Sequence, residues 1–283
     1  MAVDAPLFTL DDVSFAYPDG TEVFSDISLT LDDGDFLVLL APNGGGKSTF
    51  LKLLCGLLEP TSGEIRFNGE PIDSIEESVR YRKMGFVFQN PDDQLFGATI
   101  KEDIAFGPRN QDLDEEEVDR RVRESLEAVR LDVDPHKAVH RLSFGQKKRV
   151  ALAGILAMGV DTLLLDEPTG ELDPLSQENI FGLLKTLNQD YNKTIVSATH
   201  HIDLLGAPFE TLCVLADTDR IEQGPPREIF RRKDLLKKAS LRPPIAMTVT
   251  EKLRDHGGFD PEHTTEASED LWDFLEEHFF RTY

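Results

Sequence analysis

The chain has 283 residues, with 53 Asp and Glu against 30 Lys and Arg and a formal net charge of −23 at pH 7. That balance excludes broad nucleic-acid binding through phosphate contacts, and because the acids are dispersed along the whole chain it fits a surface kept soluble in high salt. Cys55 and Cys213 sit in apolar stretches without metal-ligand or disulfide spacing, so they read as buried thiols of a reducing compartment, and no apolar run is long enough to span a membrane.

In chain order, Leu7 to Tyr17 and Val23 to Leu31 alternate in polarity and predict two antiparallel strands joined by the turn Pro18-Asp19-Gly20. Asp35 to Leu40 is an apolar strand. It runs into Ala41-Pro42-Asn43-Gly44-Gly45-Gly46-Lys47-Ser48-Thr49 and then a helix from Thr49 to Leu57. Strand, glycine-rich turn and helix are the context of a phosphate-binding loop. Asn43 to Thr49 would cradle the nucleotide, because glycines let successive N–H groups curl around a polyphosphate and the helix points its positive end at the anion. Lys47 adds a charge for the β- and γ-phosphates of ATP, and Ser48 offers a hydroxyl to Mg²⁺. The pattern normally opens with Gly, where this chain has Ala41.

A hairpin is expected from Glu64 to Ile72 about Asn68-Gly69, then a brief strand from Gly85 to Phe88 ending at Gln89. Ile100 to Met158 has a helical texture. Asp114 is placed as an N-cap ahead of a stripe formed by Val118, Val122, Leu126 and Val129, and Ser143 to Met158 turns into a second helix. Thr162 to Leu165 is unbroken apolar sequence ending in Asp166 and Glu167, as in a buried parallel strand with acids at its carboxyl edge. Asp166 is suited to Mg²⁺ and Glu167 to taking a proton from an attacking water.

A helix from Gln177 to Leu187, a strand from Thr194 to Ala198, a helical stretch near Asp203 and a strand from Leu212 to Leu215 complete the alternation. The order predicts a layered α/β core with a mainly parallel sheet and a helical block inserted between Gln89 and Asp161. Beyond Arg242-Pro243-Pro244, short helices are expected from Val249 to Arg254 and from Leu271 to Phe280. In the latter, Leu271, Trp272, Phe274, Leu275 and Phe279 offer an apolar face to the main domain or a partner.

Leu142-Ser143-Phe144-Gly145-Gln146, followed by Lys147-Lys148-Arg149, resembles the signature motif of ATP-binding-cassette (ABC) ATPases, with Phe144 where the family usually has Gly. The resemblance covers roughly residues 7 to 232. It implies an α/β P-loop NTPase fold with an antiparallel β subdomain, an inserted helical subdomain and a small C-terminal extension. The corresponding division is an ATP-binding domain over 1–234, its helical part about 100–160, and an extension over 235–283. It also implies a head-to-tail dimer, homodimeric or with a related ATPase subunit, in which Ser143, Gly145 and Gln146 face the partner's ATP. Tyr17 would stack on adenine, Gln89 would sense Mg²⁺ and the attacking water, Asp173 would couple the two sites, and His200 would contact the γ-phosphate.

A narrower resemblance lies in Gln89-Asn90-Pro91-Asp92-Asp93-Gln94-Leu95-Phe96 and Glu102-Asp103-Ile104-Ala105-Phe106-Gly107-Pro108. These stretches, with Gly224-Pro225-Pro226-Arg227-Glu228-Ile229-Phe230, look like ATPase subunits of energy-coupling-factor importers. Those take up cobalt or nickel ions or vitamins and dock on integral membrane subunits at the cytoplasmic face of the membrane. Another importer class, a soluble ABC ATPase of repair or translation, and an inactive regulatory cassette are the alternatives.

Overall fold

The computed structural model describes residues 5–200, 211–245 and 247–249. The helical stretch expected near Asp203 and the C-terminal helices, with Leu271, Trp272, Phe274, Leu275 and Phe279, lie outside the described residues. The elements run β1 (Phe8–Ala16), β2 (Glu22–Leu31), β3 (Phe36–Leu40), α1 (Lys47–Leu54), β4 (Ser62–Phe67), β5 (Glu70–Pro71), α2 (Glu77–Lys83), β6 (Met84–Val87) and α3 (Ile100–Asn110). They continue with α4 (Glu115–Ala128), α5 (Phe144–Ala157), β7 (Thr162–Asp166), α6 (Pro174–Gln189), β8 (Thr194–Thr199), β9 (Thr211–Asp217), β10 (Arg220–Gly224), α7 (Pro226–Arg231) and α8 (Lys233–Lys238).

Two sheets form. The smaller is antiparallel, in the order β2-β1-β4-β5, and the larger runs β10-β9-β3-β8-β7-β6 with β9 to β6 all parallel. The central strands are apolar without alternation because both of their faces are covered. Along β3, Phe36, Val38 and Leu40 enter one core while Leu37, Leu39 and then Ala41 enter the other. The first core lies under the helices α3 to α6. The second is shared with the small sheet and α1, through Phe8, Phe24 and Phe50.

The helical block comprises three helices. α3 begins at a capping box in which Thr99 Oγ1 accepts from the Glu102 N–H and the Glu102 carboxylate accepts from the Thr99 N–H. Asp114 caps α4 as expected, and Val118, Val122, Leu126 and Val129 are all buried. α6 starts three residues before the expected Gln177, because Asp173 is an N-cap accepting from the Ser176 N–H and Pro174 takes the first turn. Strand β10, with no expected counterpart, pairs antiparallel with β9 at the sheet edge.

Candidate nucleotide site

Four neighbouring parallel strands deliver the site. In the order β3-β8-β7-β6, their carboxyl ends carry the loop to Lys47, then His200, then Asp166 and Glu167, then Gln89. One cleft of about 750 Å³ is lined by Tyr17, Asn43 to Thr49, Gln89, Asp166, Glu167 and His200. Such a cleft, outside the carboxyl edge of a parallel sheet, is where open α/β folds bind ligands.

The loop depends on its glycines. Gly44 and Gly46 have φ of 76° and 85°, in the left-handed region that L side chains avoid. A Cβ on Gly46 would stand 2.7 Å from Val23 Cγ1, and one on Gly45 would stand 2.9 Å from the Pro42 carbonyl oxygen. Ala41 is different. It does not have a positive φ, and its side chain is fully buried in the second core, so a methyl group fits where the pattern has hydrogen.

Lys47 Nζ donates to the Ala41 carbonyl at 3.1 Å and pairs with Glu167 Oε1 at 3.4 Å. The same carboxylate oxygen lies 2.9 Å from His200 Nδ1. Asp166 projects to the face of β7 that carries Leu164, the α1 side, near the Ser48 hydroxyl. Burial pushes the Asp166 carboxyl above the usual aspartate range, helped by the Glu167 charge and opposed by Ser48 and the Lys47 charge. Asp166 Oδ1 and Glu167 Oε2 are buried with no hydrogen-bond partner among the described residues. Asp166 Oδ1, left bare near the Ser48 hydroxyl, makes with it a hard-oxygen donor set. That set suits Mg²⁺, which takes one or two protein ligands and completes its shell with phosphates and water.

Tyr17 stands at the rim, about one-third exposed, with its hydroxyl 2.8 Å from Thr49 Oγ1 on α1 and its ring edge-on to Phe15. Ser143, Gly145 and Gln146 do not line this cleft. Instead Ser143 and Gln146 close a capping box at the start of α5: Ser143 Oγ accepts from the Gln146 N–H, and Gln146 Oε1 accepts from the Ser143 N–H. Among the described residues, only Leu172 lies within 4 Å of where a Cβ on Gly145 would stand. Cys55 and Cys213 are buried free thiols; burial raises the first to about 11 and raises the second as well.

The ABC transporter family model matches residues 24–170. An energy-coupling factor transporter ATP-binding protein of Methanocaldococcus jannaschii is 46% identical over 244 residues, covering 86% of this chain and 87% of that protein. The chain belongs to the ABC transporter ATPases. A putative ABC transporter ATP-binding protein of Geobacter sulfurreducens is 42% identical over 251 residues, 89% of this chain and 90% of its own length. Among solved structures, cbiO1 of Clostridium perfringens, described as part of the ABC transporter complex cbiONQ, superposes with a TM-score of 0.73 at 37% identity. It matches 84% of this chain and 95% of that one. The fold is therefore that of an ABC ATPase cassette and its activity is ATP hydrolysis. No helix among the described residues of this ATPase is long and apolar enough to cross a membrane.

Two residues that brace the site, Gln94 and Lys148, carried no signal strong enough to single them out. Gln94 accepts from the Phe88 N–H and donates to the Ala151 carbonyl, fastening the segment after Gln89 to α5. Lys148 reads as one of three cations on a helix, yet it is buried and reaches the backbone of Glu167. A polar residue at a helical spacing that falls on the buried face of α5 was the available clue to Lys148.

Proposed function

We propose that this ATPase binds MgATP, pairs head to tail with a second copy or a related ATPase subunit, and drives an energy-coupling-factor type importer from the cytoplasmic face of the membrane. The observation that carries the reading is the convergence of Lys47, His200, Asp166, Glu167 and Gln89 in one cleft, while Ser143, at the amino end of α5, does not line it. A signature turn that cannot serve the chain's own cleft is free to serve a partner's. The relatives' names support the transporter type, and the cargo that accompanies it is a cobalt or nickel ion or a vitamin.

Each residue has a role. Asn43 to Thr49 hold the phosphates with their amides, Lys47 with its charge. Ser48 and Asp166 would hold Mg²⁺, with Gln89 beside them, and the ion when bound neutralises phosphate charge. Glu167 takes the proton of the attacking water, His200 completes the γ-phosphate shell, and Tyr17 stacks on adenine. Ser143, Gly145 and Gln146 contact the partner's nucleotide through the amino end of α5.

Phe96 and Phe106 favour the segment after Gln89 as the membrane-facing surface: they are 66% and 49% exposed, edge to face at 4.6 Å. The division into 1–234 and 235–283 is also our proposal, with Leu235 and Leu236 at its edge buried in the first core. The net charge of −23 supports a halophilic setting. Co-expression with the neighbouring membrane subunits tests the whole reading. Lys47→Ala should abolish ATP-driven uptake of cobalt, nickel or a vitamin into vesicles, and unchanged uptake would refute it. A chain that hydrolyses ATP but assembles with no membrane subunit would favour the soluble ABC class.

A further inference from the structure

Lys148 is an ammonium in an expensive place. Its side chain is 4% exposed, at the second turn of α5, and burial pushes its pKa down to about 8 despite the charges of Glu167, Glu171 and Asp166 around it. A buried Met or Leu would fill the same space without that cost. What the ammonium does is specific: Nζ donates to the Glu167 carbonyl oxygen at 2.5 Å, beneath the Phe144 ring, whose centroid lies 5.5 Å away.

Glu167 is held in an unusual backbone state, with φ of 47°. A non-glycine residue there is strained and persists where its surroundings over-determine it. Three bonds do so. The Glu167 N–H donates to the Ala198 carbonyl at 3.0 Å, while the Glu167 carbonyl receives the Gly170 N–H at 3.1 Å and Lys148 Nζ. The backbone turn decides where the side chain points. In this geometry Oε1 meets Lys47 and His200, and Oε2 is left bare.

We propose that Lys148 is a positioning residue for Glu167: by holding its carbonyl it fixes the left-handed turn that aims the carboxylate, and so ties the signature helix to the general base of the same chain. α5 then has two ends with two tasks. Its amino end, at Ser143, meets the partner's nucleotide, and Lys148 one turn on sets the local base. Seating of the partner's phosphate on α5 is thereby felt at Glu167 through one rigid helical turn. Phe144, the departure from the family pattern, has a use in this scheme as the aromatic cover of the ammonium.

The inference rests on the reading of Glu167 as general base, and a double-mutant cycle in the assembled transporter separates the two. Lys148→Met should lower kcat by about 10- to 100-fold, as misplacement of a reacting group does, with KM for ATP within about twofold and a denaturation midpoint no lower than that of wild type. Lys148→Arg should restore most of kcat. In the Glu167→Gln background, Lys148→Met should have no further effect, because the group it positions has lost its chemistry. Wild-type kcat in Lys148→Met, or full additivity of the two substitutions, would overturn the proposal while leaving the base assignment standing. Wild-type turnover in Glu167→Gln alone would overturn the base assignment instead. Should Lys148→Met not fold, Lys148→Gln takes its place in the cycle with the same readings.

Discussion

Lys47 Nζ and Glu167 Oε1 stand 3.4 Å apart, so the cation proposed to hold phosphate is paired with the carboxylate proposed to activate water. In the proposed mode of binding, nucleotide parts them and Glu167 faces the γ-phosphate as a second anion. Removing its charge should therefore strengthen binding as well as end catalysis. Titration calorimetry of Glu167→Gln is expected to give ATP affinity about tenfold tighter than wild type, equivalent to about 1.4 kcal/mol. Weaker binding would mean that the pair organises the loop rather than competing with ATP.

Tyr17, our proposed adenine platform, is linked to α1 through Thr49, at 2.8 Å. Base–aromatic stacking is worth about 1–3 kcal/mol, so Tyr17→Ala should weaken ATP binding about five- to 150-fold. Tyr17→Phe keeps the ring and should keep the affinity. It loses the hydroxyl bond, however, and should cost about 1 kcal/mol of stability, read as a lower denaturation midpoint with unchanged nucleotide affinity.

The two loop positions that look interchangeable in sequence are not so in space. Gly46→Ala places a methyl group 2.7 Å from Val23 at a φ of 85° and should abolish ATP binding. Ala41→Gly removes a buried methyl and should cost about 1 kcal/mol of stability while ATP binding persists. Thermal denaturation with and without MgATP reads both: only the Ala41 variant should be stabilised by nucleotide.

Much of this site is legible in sequence because each part sits at an element boundary. A glycine run after a strand and an acid pair ending an apolar run are local signals, and they single out Asn43 to Thr49, Asp166 and Glu167, which the fold brings together in one cleft. Gln89 and His200 follow from the family resemblance alone, since a lone polar residue at a strand end has many uses. The rest needs the third dimension. The reach from Lys148 to Glu167 crosses 19 residues, and the salt bridge from Lys147 to Asp92, at 2.5 Å, crosses 55, so neither leaves a local pattern. Boundaries slipped where capping overrode periodicity, as at Asp173 and Pro174.

That Lys147–Asp92 pair bears on the proposed docking surface. Replacing Asp92 by Lys would set like charges against each other at 2.5 Å and disturb α5 directly. Phe96 and Phe106 are the cleaner probes. Phe96→Ser with Phe106→Ser should leave ATP binding intact and weaken co-purification with the membrane subunits at least about 30-fold, the loss of one aromatic hot spot. Retained assembly would move the docking surface elsewhere.

Lys148 also leaves a thermodynamic trace. Burial lowers its pKa from 10.5 to about 8 in the folded chain, so between those values the unfolded chain binds more protons and stability rises with pH. Urea midpoints of wild type and Lys148→Met, compared in nucleotide-free protein at about pH 7.5 and 9.5, should converge as pH rises if Met is the more stable at the lower value. A constant difference would mean that Lys148 does not titrate in that window.

The most direct measurement is single-turnover phosphate release by the assembled transporter carrying Glu167→Gln, with ATP occupancy measured in parallel. Positioned proton transfer contributes about 10²- to 10⁴-fold, so the account predicts full occupancy with release slowed by that factor. Release at the wild-type rate from a fully occupied site would contradict it.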